Sequence, residues 1–183
     1  SLYGGDKIQK LSNESVLIDL DPNDIIYSRL GGTVKMCKLL HIFDNNNWSK
    51  VEAYLENSIL DHINEQKKLT LGLSAYNVRV NPKQLLKTGL KLKKLIKKQG
   101  VSFRLVPNNE PALSSAQVYH NKLTKFGSLE LCFIGSGDKI YIAQTVDVQD
   151  IDAYSARDQA RPKRDARVGM LSPKLAQTII NLA

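Results

Sequence analysis

Apolar positions along the chain recur with two periods, and the changes of period mark the elements. Lys7 to Leu11 and Ser15 to Leu20 are short alternating runs around the turn Ser12-Asn13-Glu14, which predicts two strands. Pro22 to Leu30 is polar, with one helical turn. Gly31-Gly32 then breaks into an apolar run from Thr33 to Phe43 that predicts a third strand. The tract Asp44-Asn45-Asn46-Asn47 is a loop and the best internal boundary. Beyond it Val51, Leu55, Ile59 and Ile63 repeat at helical spacing, with a capping-box pattern at Ser49 and Glu52. Leu69, Leu71, Leu73 and Ala75 alternate as a strand with one buried face. Pro82 opens a helix that turns Leu85, Leu86, Leu92 and Ile96 inward and stops at Gly100. A strand runs from Val101 to Leu105, and then a helix from Ser114 to Leu123. The arms Leu129 to Ile134 and Lys139 to Val146 form a hairpin around Gly135-Ser136-Gly137-Asp138.

From Trp48 onward the order is helix, strand, helix, strand, helix, strand, strand. That alternation predicts a helix-covered sheet, an α/β (α+β) layered domain over residues 44–148. Residues 1–43 are too few to bury a core alone, and read as a ferredoxin-like unit without its first strand and helix. Residues 149–168 form an arginine- and aspartate-rich linker, and residues 169–183 begin an amphipathic helix at Ser172-Pro173-Lys174. The chain closes inside that helix with no capping glycine or asparagine, which reads as the threshold of a further domain. Ser1 in place of Met reads as the loss of something upstream.

Composition sharpens the picture only through charge. No apolar run approaches the roughly 18–20 residues that span a bilayer, and no secretory pattern opens the chain. Cys37 and Cys132 lie in apolar strand-like runs with no Cys or His at metal-ligand spacing, which fits buried thiols in a reducing, cytoplasmic compartment. The formal charge of +8 favours a polyanionic partner, nucleic acid before an anionic membrane surface.

Two basic features carry candidate chemistry. Lys83, Lys87, Lys91, Lys94 and Lys98 step by three or four residues along one helix face, flanked by Lys93 and Lys97. Such a stripe either follows a phosphate backbone or is the solvated side of an amphipathic helix. Arg79 and Arg104 stand at strand edges on either side. In the linker Arg157, Arg161, Arg164 and Arg167 crowd together with Lys163 and Lys174, while Tyr154 offers a ring for a base. Asp158 and Asp165 among them argue for a linker that also pairs internally and docks on protein. The pairs Gly4-Gly5 and Gly31-Gly32 match no dinucleotide or phosphate loop and read as tight turns. His41, His62 and His120 are scattered, and Asp147, Asp150 and Asp152 come after a strand that they terminate or cap. No residue is assigned a catalytic or metal-binding role.

The segment Gln149-Asp150-Ile151-Asp152-Ala153-Tyr154 through Arg157-Asp158, Arg161-Pro162, Gly169-Met170 and Pro173-Lys174-Leu175-Ala176 resembles the linker and first helix of the THUMP-containing RNA methyltransferases. The preceding helix–strand order resembles a THUMP domain, and the opening residues resemble the ferredoxin-like domain before it. The resemblance implies a front part that grips the single-stranded acceptor end of tRNA. A Rossmann-like domain would then bind S-adenosylmethionine and methylate guanine at N2. The glycine-rich cofactor loop and the Asp/Asn-Pro-Pro-Tyr-type motif of that family are missing from this sequence, so the chain is expected to bind RNA and to methylate nothing. Met170, Ser172 and Pro173 correspond to the helix start that borders the cofactor pocket. For the RNA contact the available cations are Lys87, Lys91, Lys94, Lys98, Arg104, Lys122 and Lys125, with Arg157, Arg161 and Arg164 in the linker. The alternatives are a stand-alone tRNA-presenting adaptor and a DNA methylase fragment. Whether an auxiliary subunit takes part is left open.

Overall fold

The computed structural model describes residues 8–62, 68–107, 109–161 and 169–182. The fold is mixed α/β. Two short antiparallel strands, β1 (Ile8–Lys10) and β2 (Val16–Ile18), stand apart from a five-stranded mixed sheet of order β3-β7-β6-β4-β5. The five strands are β3 (Lys35–Phe43), β4 (Lys68–Tyr76), β5 (Ser102–Leu105), β6 (Ser128–Ser136) and β7 (Lys139–Val148). Strands β5 and β6 both run parallel to β4, whereas β7 is antiparallel to β6 and to β3. The helices are α1 (Trp48–Ser58), α2 (Pro82–Lys98), α3 (Ser115–His120), α4 (Ile151–Gln159) and α5 (Pro173–Leu182).

Strand β3, grouped by the sequence with the opening unit, is hydrogen-bonded along β7 from Lys35 opposite Val148 to Phe43 opposite Ile140. The asparagine tract therefore connects two elements of one sheet-and-helix assembly. Strand pairing over a hundred residues leaves no mark in local periodicity. Strand β4 differs from the expectation of one buried face: every residue from Leu69 to Ala75 is buried. It lies between two parallel neighbours, and both its faces are covered.

Helices α1 and α2 cover one face. Val51 and Leu55 from the first and Ile59 just past its end, with Leu85, Leu92 and Ile96 from the second, pack on Leu71, Leu73, Leu131, Phe133 and Ile142. Residue Ile63 lies outside the described residues. Leu86, predicted inward, is 45% exposed. It sits about 100° round the helix from Leu85 and so misses the line through Leu92 and Ile96. The cap of α1 is Asn47 rather than Ser49: its side chain accepts the Ser49 N–H at 3.0 Å. That frees Glu52, whose carboxylate accepts from Thr88 Oγ1 at 2.6 Å and from Lys91 Nζ at 2.7 Å, tying α1 to α2. A capping box does form on α2, between Asn81 and Gln84.

The other face is covered by the stretch from Val106 to Leu123, which contains a helix shorter than predicted. A β-carbon at Gly72 would lie 2.6 Å from both Leu113 Cδ1 and Leu123 Cδ1, so this glycine makes room for the cover. Beneath it sits a fully buried carboxylate, Glu130. Lys35 Nζ and Ser74 Oγ each donate to Oε1 at 2.6 Å, and Thr145 Oγ1 donates to Oε2 at 2.6 Å. Lys35 also donates to the Leu113 carbonyl at 2.8 Å, while the Leu113 N–H donates to Ser74 Oγ at 2.9 Å. Burial works against the Lys35 ammonium, but the Glu130 charge overrides this and raises the lysine above its ordinary range. The lysine's raised pKa therefore adds stability that is fully present below the ordinary lysine range and is lost as pH climbs through the raised one. Thr145 Oγ1 is also 3.3 Å from the buried Cys132 Sγ and 3.7 Å from the half-buried Cys37 Sγ. The two thiols also meet each other by a side-chain hydrogen bond, but their strands are separated by β7, which sets the backbones about 9–10 Å apart, too far for a disulfide without backbone movement.

Part of the linker is helical. Asp150 caps α4 through the Ala153 N–H at 2.8 Å. Helix α5 docks on the segment before β3: Gln177 Nε2 donates to the Ser28 carbonyl and Asn181 Nδ2 to the Arg29 carbonyl, both at 2.7 Å. A β-carbon at Gly31 would stand 2.6 Å from the Thr178 nitrogen. Gly31 thus serves close backbone approach as well as a turn.

Lys35→Met strands the Glu130 charge and is expected to cost about 3–5 kcal/mol in urea unfolding; Lys35→Met with Glu130→Leu should recover most of it. A double variant as unstable as the single one would assign the stability to Ser74 and Thr145 instead. Gly31→Val is expected to strip hydrogen-exchange protection from α5 while the amides of β4 and β6 stay protected.

Candidate nucleic-acid interface

Topology gathers cations that the sequence scatters. Strands β4, β5 and β6 are parallel, so Lys68, Ser102 and Ser128 all lie at one end of the sheet. Helix α2 runs back between β4 and β5, so its last turn brings Lys97 and Lys98 to that end. The helix stops there on Gly100, at φ 77°. Strand β7 runs opposite to β6, so it too hands over to α4 at this end.

The turn between α3 and β6 supplies the rest. Helix α3 ends in a Schellman motif: the Lys122 N–H donates to the Tyr119 carbonyl and the Leu123 N–H to the Val118 carbonyl, each at 3.0 Å. Buried Leu123 and Val118 make the accompanying apolar contact. The left-handed position that glycine usually fills is occupied by Lys122, at φ 54°. A lysine at that conformation is a strained choice, and its charged head is exposed. Arg104 on β5 reaches across to this turn, its Nη2 donating to Asn121 Oδ1 at 3.1 Å. Lys125 and Phe126 come next, both exposed, and the Gly127 carbonyl accepts the Thr70 N–H of β4 at 3.0 Å. The segments from Lys97 to Val106 and from Tyr119 to Ser128 contain no Asp or Glu.

The predicted lysine stripe divides. Lys83, Lys87, Lys94 and Lys98 are exposed on the outer side of α2, alongside Leu90. Lys91 belongs to the ion pair with Glu52, whose carboxyl burial alone would push up. Hydrogen bonds from Lys91 and Thr88 hold that carboxyl below its ordinary value, and Lys91 is raised in return. Only Lys94, Lys97 and Lys98 approach the basic end of the sheet; Lys83 and Lys87 lie toward the opposite end of the helix.

The linker arginines are similarly split. Arg157 lies 4.7 Å over the Tyr154 ring, and the Tyr154 hydroxyl donates to Gln177 Oε1 at 2.8 Å. The ring expected to meet a base is engaged within the protein. Arg161 Nη2 donates to Asp158 Oδ1 and to the Leu171 carbonyl, both at 2.6 Å, joining the end of α4 to the approach to α5. Lys163, Arg164, Asp165 and Arg167 lie outside the described residues. His41 stacks on Tyr54 at 4.5 Å and His120 packs edge-on to Tyr119, so both sit in ring contacts.

Met170 and Ser172 are exposed, Ser172 Oγ accepts the Leu175 N–H at 3.3 Å as the cap of α5, and Pro173 is the first residue of that helix. A capped helix start on the surface does not enclose a cofactor such as S-adenosylmethionine, so these three residues give it no site by themselves. Among the described residues no cluster of three or more His, Cys, Asp or Glu is placed to hold a metal, and no helix is long and apolar enough to cross a membrane.

Two residues of the basic end escaped the sequence reading. Lys68 hides at the start of a strand pattern. Phe126 is 91% exposed, an aromatic between lysine and glycine whose neighbours in the pattern, Leu123 and Leu129, both point inward. The legible signal was the run Lys122-Leu123-Thr124-Lys125-Phe126-Gly127, with an aromatic out of register.

No protein-family model matches the chain, and no curated protein matches it. Among solved structures, the crystal structure of a 4-thiouridine synthetase–RNA complex with bound ATP is similar, at a TM-score of 0.39 and 14% identity, over 75% of this chain and 32% of that one. The chain thus spans about a third of the synthetase, and a likeness this distant carries no functional argument.

If Lys122 is kept for its charge rather than for the fold, Lys122→Gly is expected to hold or raise the thermal midpoint, by up to about 1 kcal/mol of stability, since glycine takes the left-handed cap freely. A drop of the midpoint would show that the lysine supports the turn itself.

Proposed function

We propose that this chain binds RNA through the end of the sheet where β4, β5 and β6 begin, and that its ligand is the single-stranded end of a tRNA. The observation that carries the reading is the convergence of Lys68, Lys97, Lys98, Arg104, Lys122 and Lys125 on that end from three separate stretches of sequence. Clustered cations on one face are the electrostatic footprint of a polyanion site, and each neutralised phosphate adds salt-dependent affinity. Three strands side by side span about 10 Å, a width that suits one backbone track better than a duplex.

In this proposal the chain is the recognition part of an RNA-modifying enzyme. The Arg-Pro, Gly-Met and Pro-Lys-Leu-Ala elements of its linker and last helix favour a guanine-N2 methyltransferase using S-adenosylmethionine, with methyl transfer performed outside these residues. Arg157 and Arg161 then act mainly as joints between the RNA-binding part and α5, since both are engaged within the protein.

Binding to intact tRNA, to tRNA trimmed of its 3′ single strand, and to duplex DNA of equal length, each at two salt concentrations, tests the proposal. Preference for intact tRNA that persists at the higher salt is the expected result. Equal binding to all three ligands that vanishes with salt would reduce the basic end to non-specific attraction.

A further inference from the structure

We infer that Phe126 is a stacking platform for one unpaired base of the bound RNA, with Lys122 and Lys125 holding the phosphates on either side of that base; this rests on the RNA-binding reading above. Phe126, at 91%, is the most exposed large hydrophobic side chain among the described residues. The backbone around it is pinned, so the ring is displayed by a defined turn. The Lys125 N–H donates to the Lys122 carbonyl and the Ser128 N–H to the Lys125 carbonyl, both at 3.0 Å. Gly127, at φ 77°, then turns the chain into β6. Leu123 and Leu129, on either side in sequence, are 0% and 4% exposed, so the same turn buries its aliphatic residues and leaves out its aromatic one.

The occupant is set by size and charge. A protein partner is normally met by a contiguous apolar patch of several hundred Å² with charge depleted at its centre. Here Phe126 is flanked in sequence by lysines at positions 122 and 125, Arg104 is bonded to the same turn through Asn121, and the other exposed ring close by in sequence, Tyr119, is packed edge-on against His120. An unstacked base presents an apolar face of one ring's size and brings a phosphate on each side, which matches that arrangement. A base inside a duplex has no free face to offer. The platform therefore selects single strands, whereas the lysines alone would not.

The test compares the full chain with Phe126→Ala, Phe126→Trp and Lys122→Ala/Lys125→Ala variants. Fluorescence anisotropy measures binding to an eight-nucleotide single-stranded RNA and to a ribose-phosphate strand of the same length without bases. Phe126→Ala is expected to weaken the RNA by about 5- to 150-fold while leaving the base-free strand and the salt slope unchanged, and Phe126→Trp to restore binding. The double lysine variant is expected to weaken both strands and flatten the salt slope by about two phosphates. If the parent chain binds the RNA and Phe126→Ala binds it equally well, or loses both strands alike, the stacking inference fails while the RNA-binding reading stands. If the parent chain binds no single-stranded RNA, both fall.

Discussion

The Glu130 carboxylate is the constraint on which the second face of the sheet depends. A charge with no solvent contact must find a cation and fill its remaining lone pairs, or the fold loses several kcal/mol. Lys35 supplies the cation from β3, Ser74 and Thr145 supply hydroxyls from β4 and β7, and Glu130 itself belongs to β6. Four strands are joined at one point. Lys35 and Ser74 then pass the constraint outward by holding both backbone groups of Leu113, the residue that leads into α3. The turn after α3 carries Lys122, Lys125 and Phe126, so the buried pair fixes the cover from which the candidate interface is displayed.

The many cations of this chain divide into those that serve the fold and those left over. Lys35 pairs with Glu130, Lys91 with Glu52, Arg161 with Asp158, and Arg157 lies on Tyr154. Lys97 and Lys98 complement the negative end of the α2 dipole while remaining exposed. Lys68, Lys122 and Lys125 make no ion pair among the described residues. They collect where parallel strands begin because a parallel sheet puts all its strand starts on one side.

Much of the architecture was legible in local pattern. The spacing of Val51, Leu55 and Ile59, the Pro82 and Gly100 boundaries, and the hairpin around Gly137 arise from period and turn chemistry, and each recurs in the structure. Errors arose where a tertiary partner competed with a local one. Glu52 matched a capping box but bonds to Thr88 and Lys91. Leu86 matched an apolar face but lies off its axis. Tyr154 looked free for a base and is held by Arg157 and Gln177. The basic end of the sheet was half legible: Lys97, Lys98, Arg104, Lys122 and Lys125 stand out as cations in the sequence, but Lys68, Phe126 and the end of the sheet at which they meet do not.

The sequence by itself determined the element order, the α/β class and the excess of positive charge, because each depends on residues within a turn or two of one another. Only the tertiary structure decided that β3 joins the far edge of the sheet, that a buried carboxylate holds four strands together, and which cations remain free. Those outcomes depend on pairing between residues about a hundred positions apart in the sequence, and the free energy of such a contact exists only once the chain between them has closed.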